Sequence, residues 1–93
     1  MARAILIEGL PLRVTLEDLK ILCAQYGTVV WARVPTDHLG RSLGYGYVEM
    51  GCETDAQEVI NALDATYLDD CYIQASALSV DPFITYGDAT SWQ

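Results

Sequence analysis

Two tyrosines alternate with two glycines in the segment Leu43–Met50, which reads Leu-Gly-Tyr-Gly-Tyr-Val-Glu-Met. This composition predicts a strand, and alternate side chains of a strand point to the same face. Tyr45 and Tyr47 are therefore expected side by side, with Gly44 and Gly46 on the opposite face. Two adjacent rings on an open sheet form a stacking platform for nucleic-acid bases. The alternative is an ordinary edge strand whose tyrosines lie flat against a partner.

The length and composition predict one folded domain. Ninety-three residues can build a single core, and a hydrophobic content of 52% argues against a disordered chain. No apolar run approaches the length that crosses a bilayer, and the N-terminus lacks the apolar region of a secretory signal peptide. These features predict an intracellular protein without a membrane span, located in the cytoplasm, with the nucleus left open.

The cysteines and the histidine do not form a pattern that binds metal or builds a disulfide framework. Cys23, Cys52 and Cys71 are odd in number and widely spaced, and His38 is the single histidine. Zinc sites use clustered ligand pairs, and disulfide scaffolds use even cysteine counts. We therefore expect reduced thiols, no metal and no cofactor.

The charge of the chain is unusual for a protein that binds nucleic acid. The formal net charge is −8, with five basic residues against thirteen acidic ones. Most affinity for nucleic acid comes from lysine and arginine side chains that neutralise phosphates. The composition therefore predicts weak non-specific binding, and the location of the few cations becomes decisive.

The order of predicted elements is strand, helix, strand, strand, helix, strand. Thr15 precedes the first helix as an N-cap, and the segment that begins at Thr54 is expected to start the second helix in the same way. The predicted strands are Ala4–Glu8, Thr28–Pro35, Leu43–Met50 and Tyr72–Val80. This order indicates an α+β, ferredoxin-like split βαβ fold, with a four-stranded antiparallel sheet and two helices on one face. The other face of the sheet is then open.

Residues 3–80 resemble a single RNA-recognition motif, and residues 81–93 form a C-terminal tail. Leu43–Met50 is similar to the family's octamer motif, and Ile5–Leu10 lies where the family has its hexamer motif. The resemblance implies single-stranded RNA as the partner, bound by base stacking on the open face. Three residues depart from the pattern: Leu6 replaces an aromatic residue, Gly9 an asparagine, and Leu43 a basic residue. The loss of one ring and one cation implies modest affinity.

Alternation of side chains along the four predicted strands assigns residues to each face. The open face is expected to carry Leu6, Glu8, Trp31, Arg33, Tyr45, Tyr47, Glu49, Tyr72, Gln74 and Ser76. The core face is expected to carry Ile5, Ile7, Val30, Ala32, Val34, Val48, Met50, Ile73 and Ala75. A bulge in the second strand would change its assignments, because a slip of one residue inverts every side chain. The candidate RNA-binding residues are Tyr45, Tyr47, Leu6, Leu43, Arg33, Arg41, Trp31 and Gln74.

Other functions of the same topology find little support in the sequence. An acylphosphatase-like enzyme needs a basic anion cradle after the first strand, where this chain has Glu8, and no nucleophile, base and orienting partner assemble. We therefore expect no enzyme. The alternative function is a protein-interaction module, with a partner or a second copy on the sheet face. In the tail, Phe83, Tyr86 and Trp92 are expected either to fold back over that face or to remain a frayed terminus.

Overall fold

The computed structural model describes residues 3–78, which form a five-stranded antiparallel sheet with two helices. The elements are β1 (Ala4–Glu8), α1 (Leu16–Ala24), β2 (Val29–Arg33), β3 (Tyr45–Met50), α2 (Glu53–Leu63), β4 (Thr66–Leu68) and β5 (Cys71–Leu78). The strand order is β2-β3-β1-β5-β4, with every neighbouring pair antiparallel. The ferredoxin-like α+β fold expected from the sequence is therefore confirmed. Residues 79 and 80 of the predicted last strand, and the predicted tail 81–93, lie outside the described residues.

The prediction of four strands was wrong, because the chain between α2 and β5 forms one more short strand. β4 and β5 make a hairpin in which Leu68 lies opposite Cys71 and Tyr67 opposite Tyr72. The two turn residues, Asp69 and Asp70, have φ angles of 50° and 72°. Two successive residues with positive φ are typical of the tight hairpin turn whose twist matches the flanking strands. β4 therefore extends the sheet on the side opposite β2.

Helix α1 begins as the sequence predicts, whereas α2 does not. The Thr15 hydroxyl accepts from the Asp18 N–H at 3.2 Å, and the Asp18 carboxylate accepts from the Thr15 N–H at 3.1 Å. Such a reciprocal capping box satisfies two N–H groups at the helix start. In α2 the N-cap is Cys52, which makes no side-chain cap hydrogen bond, so the assignment of the helix start to Thr54 was wrong by two residues.

One core cluster lies between the two helices and one face of the sheet. Leu19 and Cys23 of α1 and Val59 of α2 are fully buried there. The sheet contributes alternate residues of β1, β2, β3 and β5, namely Ile5, Ile7, Ala32, Val48, Met50, Ile73 and Ala75. Burial of each large apolar side chain contributes roughly 1.5–3 kcal/mol relative to exposure, so this layer supplies the main stabilisation of the fold.

A bulge in β2 overturns the expected burial of Val30. Val29 lies opposite Met50 and Trp31 opposite Glu49, so Val30 is the extra residue between two consecutive pairs. A bulged residue leaves the regular alternation of the strand. Val30 is consequently 55% exposed, although Trp31 and Arg33 keep their predicted positions on the open face.

Gly46 allows α1 to approach β3 closely. A Cβ atom at this position would lie 2.7 Å from Leu19 Cδ2 and 3.0 Å from the Arg33 carbonyl oxygen. Leu19 is fully buried, so its side chain has little room to move away. The absence of a side chain at Gly46 is therefore a condition of the packing beneath Tyr45 and Tyr47.

Replacement of Gly46 by alanine should destabilise the fold. Overpacking a close-packed core by one methyl group costs roughly 1–3 kcal/mol, and chemical denaturation would measure the loss. Gly51→Ala is the matched control, because a Cβ atom there meets its nearest neighbour, Thr28 Cβ, at 3.4 Å. Equal stability of the two variants would contradict the close packing of Leu19 on β3.

Candidate nucleic-acid interface

Tyr45 and Tyr47 lie side by side on the face of the sheet opposite the helices. Both residues are half-buried, whereas Gly46, Val48 and Met50 between and beyond them are buried in the core. The ring centroids are 5.7 Å apart and the ring planes meet at 88°. This edge-to-face contact stabilises the pair by about 0.5–1.5 kcal/mol beyond its burial. The two ring planes are therefore perpendicular, and the pair does not offer two parallel faces to an incoming ligand.

The register of the sheet surrounds these rings with the other predicted open-face residues. Tyr47 lies opposite Arg33 on β2 and opposite Leu6 on β1. Tyr45 lies opposite Glu8, and Glu8 is in turn opposite Gln74 on β5. Side chains directly opposite one another in an antiparallel pair contact each other. The face is thus one continuous surface from β2 to β5.

The surroundings of Tyr47 change the acidity of its hydroxyl group. Burial is the largest cause that raises the pKa of Tyr47, and the charge of Tyr45 and a side-chain hydrogen bond with Tyr45 act in the same direction. The Arg33 guanidinium has a weaker opposing effect. A tyrosine hydroxyl is uncharged at neutral pH in any case, and these effects move its ionisation further from neutrality.

Most basic side chains among residues 3–78 are paired with carboxylates. The Arg3 guanidinium lies 3.2 Å from the Glu49 carboxylate, whose side chain is only 14% exposed. Lys20 pairs with Glu17, Arg13 with Asp69, and Arg41 with Asp37. Among residues 3–78, Arg33 is the one basic residue without such an ion pair. It is consequently the cation best able to meet a phosphate beside the two rings.

Arg41 and Leu43 lie in the β2–β3 loop and not on a strand. The Asp37 carboxylate accepts from the Arg41 Nε and from the backbone N–H groups of Leu39 and Arg41, each at 2.9 Å. The hydrogen bond from the Arg41 N–H is the largest cause that lowers the pKa of Asp37. Leu43 is 50% exposed and donates its N–H to the Pro35 carbonyl at 3.0 Å. β3 begins only at Tyr45, because Gly44 takes a φ of 88°.

Six of the eight candidate residues therefore share the open face: Leu6, Trp31, Arg33, Tyr45, Tyr47 and Gln74. The remaining two, Leu43 and Arg41, belong to the loop that enters β3. Sequence reasoning missed Tyr67, which the unpredicted hairpin places directly opposite Tyr72. The available signal was the equal spacing of these two tyrosines from the central Asp69-Asp70 pair, since a two-residue turn brings such positions opposite each other.

The thiols differ in exposure. Cys23 is fully buried in the core, and burial raises its pKa to about 12. Cys52 is exposed at the start of α2.

Within residues 3–78 no group of histidine, cysteine and acidic side chains is arranged to hold a metal ion. Neither α1 nor α2 is long and apolar enough to cross a membrane, and no other helix occurs between residues 3 and 78.

The chain belongs to the RNA-recognition-motif family, since the model of that family, described as RNA recognition motif, matches residues 5–74. The zebrafish (Danio rerio) spliceosome associated factor 3, a U4/U6 recycling protein, is 38% identical over 66 residues, which are 71% of this chain and 7% of the relative. The chloroplastic 28 kDa ribonucleoprotein of Spinacia oleracea is 35% identical over 77 residues, which are 82% of this chain and 33% of the relative. The chain therefore spans a third or less of the length of these two relatives.

Solved structures agree with this membership. A crystal structure of the RNA-binding protein PG1 has a TM-score of 0.81 and 38% identity, and the match covers 87% of this chain and 99% of that one. The Sex-lethal protein in complex with RNA also has a TM-score of 0.81, with 23% identity, over 87% of this chain and 49% of that one. The second likeness supports the fold alone.

Cys52 and Cys23 should react at different rates in the folded protein. A thiol-specific reagent should modify Cys52 under native conditions and Cys23 only after unfolding, because the reactive species is an accessible thiolate. Mass spectrometry of modified peptides would follow each residue, and a Cys52→Ser variant would identify the fast phase. Modification of Cys23 as fast as Cys52 would contradict its burial.

Proposed function

We propose that this domain binds single-stranded RNA by stacking bases on its open sheet face, with Tyr45 and Tyr47 as the principal contacts. The observation that carries the proposal is the pair of partly exposed rings on β3, next to the central strand β1, on the open face of the RNA-recognition-motif fold. Two structural neighbours of this domain, Sex-lethal and Rna15, have been solved with RNA. Base stacking on aromatic side chains contributes roughly 1–3 kcal/mol per base and tolerates many sequences.

The other candidate residues have separate roles in this proposal. Arg33 contacts a phosphate, and Trp31 extends the aromatic surface on β2, where its side chain is 44% exposed. Gln74 offers an amide that can both donate to and accept from base edges. Leu6 provides apolar contact at the centre of the sheet. Leu43 and Arg41 contact the RNA from the β2–β3 loop.

Binding is expected to be modest for two physical reasons. Most cations are already engaged by carboxylates, so few phosphates can be neutralised. In addition, a base that lies flat on each tyrosine requires the perpendicular rings to turn, which removes their edge-to-face contact. Stacking energy must therefore exceed this local loss before it contributes to affinity.

The proposal also covers the class of protein, the domain boundaries and the site of action. The domain acts as a binding module rather than an enzyme, and its boundaries are residues 3–80, with 81–93 as a tail. We propose an intracellular site of action, in line with relatives whose names refer to the spliceosome and the chloroplast. A protein partner on the sheet face is the alternative that the charge experiment below distinguishes from RNA.

Replacement of Tyr47 by alanine should weaken RNA binding by roughly 1–3 kcal/mol, because one stacking surface is lost. Fluorescence or calorimetric titration with pools of short single-stranded RNA would measure the change. Tyr47→Phe is the matched control, since it keeps the ring and removes only the hydroxyl. Unchanged affinity of a folded Tyr47→Ala variant would contradict the stacking role.

Replacement of Leu43 by lysine should tighten RNA binding, because it supplies the cation that the family usually has at this position. The slope of log affinity against log salt for single strands is about −0.7 per phosphate neutralised, so the wild-type slope should be shallow and should steepen by about 0.7. Titrations at several salt concentrations would give both slopes.

The matched control for this charge is Ile21→Lys. Ile21 is 64% exposed on α1, which packs against the opposite side of the sheet, so the variant has the same net charge with the cation elsewhere. A gain for Leu43→Lys and not for Ile21→Lys supports a local phosphate contact. If Leu43→Lys shows no RNA binding even at low salt, the protein-interaction alternative replaces the RNA proposal.

A further inference from the structure

A second pair of tyrosines lies at the far edge of the sheet. Tyr67 on β4 and Tyr72 on β5 have ring centroids 5.3 Å apart and ring planes at 62°. Tyr67 is 71% exposed and Tyr72 is 49% exposed, which makes these two side chains, the hairpin tyrosines, more accessible than the half-buried pair on β3. Rings this exposed contact each other across the hairpin and still leave much of their surface open to a ligand.

The hairpin tyrosines share the open face with Tyr45 and Tyr47. Along β5 the side chains of Tyr72, Gln74 and Ser76 alternate with the buried Ile73 and Ala75. Gln74 lies opposite Glu8, which lies opposite Tyr45, so Tyr72 is two strands across and two residues along from Tyr45. Typical strand spacing and rise put their Cα atoms about 12 Å apart. The two aromatic pairs thus belong to one surface.

We propose that the hairpin tyrosines form a second stacking subsite for a nucleotide of the same RNA strand. The inference rests on the RNA-binding function proposed above and extends it beyond the octamer strand. Leu6 leaves the centre of the face without a ring, so base stacking can resume only at the next aromatic side chains across the sheet. Gln74 lies between the two pairs and can contact the edge of an intervening base.

The charges beside the hairpin tyrosines favour a base over a phosphate. Asp69 and Asp70 form the adjoining turn, and Arg13 pairs with Asp69. No cation within residues 3–78 is left there to neutralise a phosphate, since Arg33 lies on β2 at the other side of the sheet. Stacking through ring faces needs no such charge. The contribution of this subsite should therefore be independent of salt.

The test compares Tyr67→Thr with Tyr67→Phe in titrations with a pool of single-stranded RNA about eight nucleotides long. Threonine keeps the preference for a strand and removes the ring, whereas phenylalanine keeps the ring. We expect Tyr67→Thr to weaken binding about 5-fold or more, with an unchanged salt slope, and Tyr67→Phe to bind as the wild type does. Tyr72→Thr provides a second variant in case the hairpin of Tyr67→Thr fails to form, as judged by its amide signals.

These variants distinguish the absence of a second stacking subsite from the absence of RNA binding by the domain. If Tyr47→Ala weakens RNA binding while Tyr67→Thr and Tyr72→Thr bind as the wild type does, the second subsite is overturned and the proposed function stands. If both threonine variants change the salt slope by a whole phosphate contact, the stacking assignment is overturned. If the wild type does not bind the pool, the proposed function and the subsite are overturned together.

Discussion

The fold and the candidate interface both depend on the alternation of small and aromatic residues in β3. Gly46 has no side chain, so Leu19 of α1 packs directly on the strand, and Val48 and Met50 continue the same buried row. The same backbone alternation turns Tyr45 and Tyr47 to the opposite face. A shift of register by one residue would bury the two rings against the helix and expose the core residues. Core packing therefore determines which face carries the aromatic side chains.

The acidic composition and the proposed RNA partner are compatible because the charges are unevenly distributed. Glu17 and Asp18 lie in the first turn of α1 and Glu53 and Asp55 in that of α2, where carboxylates are stabilised by the helix dipole. Both helices pack on the core face of the sheet, away from the tyrosines. On the open face, Arg3 and Arg33 balance Glu8 and Glu49. The net charge of the chain thus describes the helical side more than the sheet face.

The sequence predicted an element correctly where residues close in sequence determine its structure. The strand Ala4–Glu8, the capping box at Thr15 and the shared face of Tyr45 and Tyr47 each depend on residues close in sequence. The bulge at Val30 could not be located, because two adjacent valines give no indication of which one leaves the ladder. β4 was missed because Thr66–Leu68 is only three residues long, too short for alternation to indicate a strand.

The candidate site was harder to predict, because the availability of each charged side chain depends on which partner the folded chain gives it. The Arg41 side chain is held by the Asp37 carboxylate, four residues away in the same loop. Outside the site, the Asp55 carboxylate accepts from the Thr28 N–H at 3.2 Å across 27 residues of sequence.

Aromatic residues lie on both flanks of the open sheet face. Trp31, Tyr45 and Tyr47 lie on β2 and β3, and Tyr72 and Tyr67 lie on β5 and β4, with Leu6 of β1 between them. A domain with few available cations must obtain affinity from stacking, and stacking adds only when successive bases each find a ring. A surface with rings on both flanks allows a longer strand to gain contacts that its phosphates cannot supply. In the proposed function, breadth of aromatic surface thus replaces density of positive charge.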